Sequence, residues 1–197
     1  MQIKHTILSS CPIDLYGKNN CPRKRTKTTF EIITGKAICL FGSYWHYGVG
    51  KTFLVWAFFN LQFDFYVSAM PNVSNRKQLT IFHQSLIEAR ENKDDYTHPK
   101  DWLEAFRRLR HILSISQNKQ KRIILDEIPW LDTPRSDFIA ALEHFWNTWA
   151  SARNDIMLIV CGSDSNWMTN KLFNNIGGLH NRVTDRIDLS PFNLQET

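Results

Sequence analysis

Apolar positions along this chain fall into short continuous runs separated by longer segments in which they recur every three or four residues. Such alternation predicts strands buried on both faces and helices with one apolar face. Strands are expected at residues 37 to 41, 63 to 67, 122 to 125, 155 to 163 and 187 to 189, the second from its alternation of aromatic and other residues. A helix is expected from residue 51 to about 60. A second, from about 75 to 89, has Ser74 as its cap and Leu79, Phe82 and Leu86 on one face. After a polar break at 92 to 96, residues 99 to about 116 carry Trp102, Phe106, Leu109 and Leu113 at helical spacing. Residues 136 to 152 do the same with Phe138, Leu142, Phe145 and Trp149, and a further helix starts near Ser165. Strands alternating with helices imply an α/β fold with a parallel sheet, right-handed crossovers and both faces covered.

The junction between the first strand and the first helix is the most informative part of the pattern. It reads Gly48-Val49-Gly50-Lys51-Thr52. Glycines that end a strand and a Lys-Thr pair that begins a helix bring backbone N–H groups and a helix N-terminus to one point, which favours an anion. In such a phosphate-binding loop the lysine reaches the β- and γ-phosphates and the following hydroxyl ligates Mg²⁺, roles that fall to Lys51 and Thr52. The full pattern has glycine where this chain has Trp45, with His46 and Tyr47 following. Gly42 offers the start of a longer, irregular loop. A plain glycine turn before Lys-Thr is the alternative.

The run Arg122-Ile-Ile-Leu-Asp-Glu-Ile-Pro-Trp130 adds adjacent carboxylates at the end of a buried strand. Ligands of open α/β sheets bind at the carboxyl ends of strands. Asp126 is placed there to hold Mg²⁺, directly or through water, and Glu127 to polarise a water for attack on the γ-phosphate. A solvated acidic turn is the alternative. The strand at 155 to 163 ends in Gly162-Ser163-Asp164-Ser165-Asn166. Ser163 is the first candidate for contact with the γ-phosphate and Asp164 the second, unless they only cap the helix that follows. Of two arginines before the last strand, Arg182 suits neutralisation of a transferring phosphoryl group better than Arg186, which flanks the strand.

These motifs in this order resemble the archaeal-type ATPases, which belong to the AAA-related P-loop NTPases. The resemblance rests on Gly-Val-Gly-Lys-Thr-Phe-Leu, Leu-Asp-Glu-Ile-Pro-Trp, Gly-Ser-x-x-x-Trp-Met and Gly-Gly-Leu-His-Asn-Arg before Leu-Ser-Pro-Phe, and runs from about Gly48 to Phe192. It implies a three-layer sandwich on a mostly parallel five-stranded sheet of order 5-1-4-3-2, with the acidic strand beside the loop strand. It also implies ATP and Mg²⁺ as cofactors, with Gly48, Val49, Gly50, Lys51, Thr52, Phe53 and Ser163 at the nucleotide. Thr52 and Asp126 would serve the metal, and Glu127 and Arg182 catalysis. Family members usually carry Gly-Arg-Arg-Arg-Val-Gly-Lys-Thr in the loop and continue past Pro-Phe into a helical lid and a C-terminal domain. The expectation is therefore a truncated or N-terminally divergent member. Residues 1 to 36 form a poorly matched basic segment, and 37 to 197 a core without the lid.

Composition narrows the picture further. A chain of 197 residues with 43% hydrophobic content can bury one substantial core, roughly 70% of its unfolded surface. No apolar run approaches a membrane span and no secretion signal is visible, so a cytoplasmic, membrane-free protein is expected. Cys39 and Cys161 sit in strand candidates as core residues. Cys11 and Cys21 lack a second pair to complete a metal site, and a disulfide between them is not expected in a reducing compartment. The seven histidines have no ligand spacing. Trp102, Trp146 and Trp149 read as helix-packing residues, whereas Trp130 leaves a strand at the ligand edge.

The net charge of +5 lies wholly in residues 1 to 37, which hold seven Lys and Arg against two acids. Arg23, Lys24, Arg25 and Lys27 dominate it. Such a cluster offers a contact for nucleic-acid phosphates, with a solvated segment as the alternative. Three functions therefore stand: a Mg-dependent ATPase coupled to a conformational switch, a degenerate nucleotide-binding remnant without turnover, and a nucleic-acid-binding module. If Arg182 acts between subunits, the first needs a homo-oligomer.

Overall fold

The computed structural model of the chain describes residues 37–42, 55–56, 59–90, 97–174, 179, 183 and 185–188. Gly48, Val49, Gly50, Lys51, Thr52, Phe53 and Arg182 lie outside the described residues, as does the basic segment at 1–36.

Five strands form one sheet: β1 (Ala37–Gly42), β2 (Phe65–Ser68), β3 (Lys121–Asp126), β4 (Ile156–Gly162) and β5 (Asp185–Asp188). Their order is β2-β3-β4-β1-β5, and every pairing between them is parallel. The acidic strand β3 is therefore not the neighbour of the loop strand β1. β4 lies between them, paired with β3 on one side and β1 on the other. Read from the other edge the order is 5-1-4-3-2, so the correction concerns only the placing of the acidic strand beside the loop strand, which strand composition does not encode: β1, β3 and β4 are all aliphatic runs.

Because every pairing is parallel, all five carboxyl ends meet at one edge. Ser68 pairs with Asp126, and Gly42 with both Gly162 and Asp188.

The helices connecting these strands start and stop for local reasons. In α1 (Asn75–Glu88), the Ser74 hydroxyl accepts the N–H of Lys77 and stands as the N-cap. In α2 (Trp102–Ile115), Asp101 is the N-cap and accepts the N–H of Glu104, while Glu104 accepts the N–H of Lys100, one residue before the cap. α3 (Phe138–Thr148) begins two residues later than periodicity suggests, because Asp137 adopts a left-handed conformation and Ser136 Oγ accepts the N–H of Phe138. It ends before Trp149, and a 3₁₀ turn over Ala150–Ala152 completes the apolar stripe.

One face of the sheet packs on these three helices. Phe82 stands at the centre, with its ring centroid 4.9 Å from Phe65 and 5.4 Å from both Trp102 and Phe106. Phe138 closes on Trp102 at 4.8 Å. Trp102, Trp146 and Trp149 are all buried in this layer, in agreement with their helical spacing. Ile124, Met157, Ile159 and Cys161 are buried as well. They alternate with the residues that face the helices, so the opposite face of the sheet is covered too. Among the described residues no helix is long and apolar enough to cross a membrane.

The amino ends of β3 and β4 are joined by charge. Lys121 Nζ, with its side chain 6% exposed, donates to Asp155 Oδ2 at 2.8 Å and to the Asn118 carbonyl at 2.8 Å, and Arg153 grips the same carboxylate at 2.6 and 2.8 Å. The Arg153 hydrogen bonds, then those of Lys121, hold the Asp155 carboxyl well below its ordinary range. A folded-state value depressed in this way means stability that is present above the unfolded carboxyl value, about 3.9, and lost as pH falls below it. Asp155→Asn should cost roughly 2 kcal/mol at pH 7, because it leaves Lys121 buried and poorly paired. In urea unfolding at pH 7 and pH 3, the gap between wild type and variant should shrink at the lower pH. An equal gap at both would contradict the pairing.

Candidate functional site at the carboxyl edge of the sheet

β3 delivers two adjacent carboxylates to the edge and then turns sharply. Glu127 has φ 51° and ψ 43°, a left-handed conformation rare for a residue with a Cβ and costing about 1 kcal/mol or more. Strain of this kind persists where the surroundings enforce it. The strand ends there, a 3₁₀ turn follows over Ile128–Trp130, and the Glu127 side chain crosses to the neighbouring strand.

At that crossing Ser163 Oγ donates to Glu127 Oε2 at 2.7 Å. Ser163 is the first residue past β4, so the hydrogen bond joins the carboxyl ends of the two strands. Asp164, the second candidate of the same cluster, is used locally: its Oδ1 accepts the N–H of Trp167 at 2.9 Å, capping the four-residue α4 (Ser165–Met168).

Asp126 is almost fully withdrawn from solvent, at 3% exposure. Its Oδ1 accepts the N–H of Glu127 at 3.0 Å and its Oδ2 the hydroxyl of Tyr66 at 3.3 Å. Tyr66 lies on β2 opposite Ile124, on the same face of the sheet as Asp126 and two positions before it. Burial, then the negative charge of Asp126, pushes the Tyr66 phenol far above its ordinary value and keeps it a neutral donor.

Two braces hold the turn that carries the acids. Gln78 of α1 is fully buried, donates to the carbonyls of Met70 at 2.6 Å and Trp130 at 2.8 Å, and accepts the N–H of Met70 at 3.3 Å. It clamps the loop after β2 to the turn after β3. On the other side Trp167 Nε1 donates to Asp132 Oδ2 at 3.0 Å. Trp167 thus ties α4 to the chain just past the Asp-Glu-Ile-Pro-Trp segment, while Trp130 itself packs partly buried against the core.

Gly162 explains why these pieces can meet. A Cβ there would stand 2.9 Å from Met168 Sδ and 2.9 Å from Pro129 Cδ, inside contact distance of the turn that follows Glu127. Gly162→Ala should therefore lower stability by about 1–3 kcal/mol through overpacking. At this chain length that is a fall of roughly 2–4 °C in Tm per kcal/mol in a thermal melt. An unchanged Tm would show that the turn has room to spare.

Tyr66 and Gln78 are the site-supporting residues that sequence reasoning missed. The only signal for either was a polar tip among apolar neighbours on a buried face. Of the residues expected at the site, the structure brings Asp126, Glu127 and Ser163 together. The glycine run and Arg182 belong to segments outside the described residues.

The donors gathered here are hard oxygens: two carboxylates and a hydroxyl. Among the described residues no group of three or more His, Cys, Asp or Glu could hold a metal by itself. That set suits Mg²⁺, which keeps several waters and takes one or two protein carboxylates together with substrate phosphates. It does not suit zinc.

No protein-family model matches the chain, and no curated protein matches it. Solved structures do. A Walker-type ATPase of Pyrococcus abyssi matches over 93% of this chain and 59% of its own, at 15% identity and a TM-score of 0.64. The Aeropyrum pernix ORC2 protein, solved as ADPNP–ADP complexes, matches over 92% of this chain and 50% of its own, at 16% identity and a TM-score of 0.54. Drosophila ORC bound to DNA matches over 88% and 44%, at 18% identity and a TM-score of 0.55. The chain spans about half the length of these proteins. At such identities the likeness is one of fold: an α/β domain with a parallel sheet, of the kind found in P-loop ATPases.

Proposed function

We propose that this chain is an ATP-binding P-loop domain that hydrolyses ATP with Mg²⁺ at the carboxyl edge of its sheet. The observation that carries the reading is the hydrogen bond from Ser163 to Glu127, which brings an acid from the end of β3 to the end of β4, the strand beside β1. β1 ends at Gly42 on that same edge, and the chain continues from it into Gly48-Val49-Gly50-Lys51-Thr52. A phosphate cradle in that run and the two carboxylates would then share one edge, as ligand sites of open α/β sheets do.

Within this reading Gly48, Val49, Gly50 and Phe53 line the nucleotide, Lys51 holds its phosphates, and Thr52 and Asp126 hold Mg²⁺. The metal would supply charge neutralisation on the phosphoryl oxygens. Glu127 accepts a hydrogen bond from an attacking water and takes its proton, and Ser163 keeps that carboxylate aimed between β3 and β4. Arg182 adds positive charge as the phosphoryl group transfers. If it does so in a neighbouring copy, turnover requires a homo-oligomer.

The likeness to an archaeal ORC protein solved with ADPNP and ADP supports a nucleotide as ligand, and the likeness to a Drosophila ORC bound to DNA supports a nucleic-acid partner, for which the charge of residues 1–36 makes that segment the candidate contact. Trp45 favours a second reading, in which the site binds nucleotide without turnover. Phosphate release from ATP by the purified chain separates the two. Release that needs Mg²⁺ is expected, and its absence beside saturable ATP binding would leave binding alone.

A further inference from the structure

We infer that Tyr66 is a positioning residue for Asp126, holding that carboxylate in the orientation in which it takes a divalent cation. The inference rests on the reading of Asp126 given above.

Both oxygens of Asp126 already receive a donor: Oδ1 from the backbone of Glu127, Oδ2 from the Tyr66 hydroxyl. The backbone bond follows from the turn itself. The second depends on a side chain of another strand, 60 residues earlier in the chain. The Tyr66 ring is itself held on two sides, stacked on Phe63 at 6.0 Å and met edge-on by Trp56 at 5.8 Å. Trp56 comes four residues after Thr52 in the sequence. One ring thus contacts Trp56 and, through its hydroxyl, the carboxylate of the acidic strand.

Holding β2 to β3 does not require this bond. The two strands are paired along their length, and Ala69 N–H extends the pairing to the Asp126 carbonyl at 3.0 Å. What the phenol adds is a restraint on the carboxylate alone. A partner that orients a metal-ligating group is worth about 10–100-fold in metal affinity. Phenylalanine at this position would keep the ring packing and remove only the donor.

The test uses the full chain, a fluorescent ATP analogue, and Mg²⁺ added to nucleotide-bound protein, for wild type and Tyr66→Phe. The expected result is equal affinity for the analogue in EDTA, an unchanged Tm, and about a 10-fold higher Mg²⁺ concentration for half-maximal tightening in the variant. The same Mg²⁺ requirement in both proteins would overturn the role of Tyr66 while leaving the site reading intact. Weaker binding of the analogue in EDTA by the same factor would also overturn it, assigning the phenol to structure. A wild-type affinity that does not respond to Mg²⁺ would overturn the site reading and this inference together.

Discussion

Glu127→Gln should abolish ATP hydrolysis, lowering the rate by about 10²–10⁴-fold, while leaving ATP affinity within a few-fold of wild type. The geometry accounts for the asymmetry. A glutamine keeps the length of the side chain and still offers a carbonyl oxygen to Ser163, so the link between the ends of β3 and β4 survives. It cannot take a proton from water. Phosphate release and analogue binding measured on the same preparation check the split. Loss of both together would mean that Glu127 builds the site and does not act in it.

Lys51→Ala should have the larger effect on binding. In the proposed site Lys51 adds a full positive charge where the β- and γ-phosphates carry most of the nucleotide's charge. Its removal should weaken ATP binding by more than 100-fold, roughly 3 kcal/mol, comparable with losing a charged hydrogen bond from a desolvated site. The fold should survive, since β1, β3 and β4 are held by their own pairing and by the aromatic layer beneath. A thermal melt therefore serves as the control.

The helices were legible because a 3.6-residue period writes the buried face directly into the sequence. Leu79, Phe82 and Leu86, then Trp102, Phe106, Leu109 and Leu113, fall on buried faces of α1 and α2. Strand existence was legible for the same kind of reason, but strand neighbours were not. An aliphatic run such as Ile123-Ile124-Leu125 carries no mark of whether β1 or β4 lies beside it, and β4 does.

The site divides in the same way. Adjacent acids at the end of a buried strand and a small polar cluster at the end of another are visible as residue types, which is why Asp126, Glu127 and Ser163 could be named. That Ser163 reaches Glu127, that Asp164 turns back to cap α4, and that Tyr66 and Gln78 support the turn all depend on register and on the left-handed backbone at Glu127. Those are properties of how elements meet.

The most direct test of a nucleotide site at this edge is isothermal titration of the purified chain with ATP and Mg²⁺, beside Lys51→Ala under the same conditions. The account predicts saturable binding near one nucleotide per chain for the wild type and none detectable for the variant. Equal binding by the two proteins, or no binding by either, would contradict it.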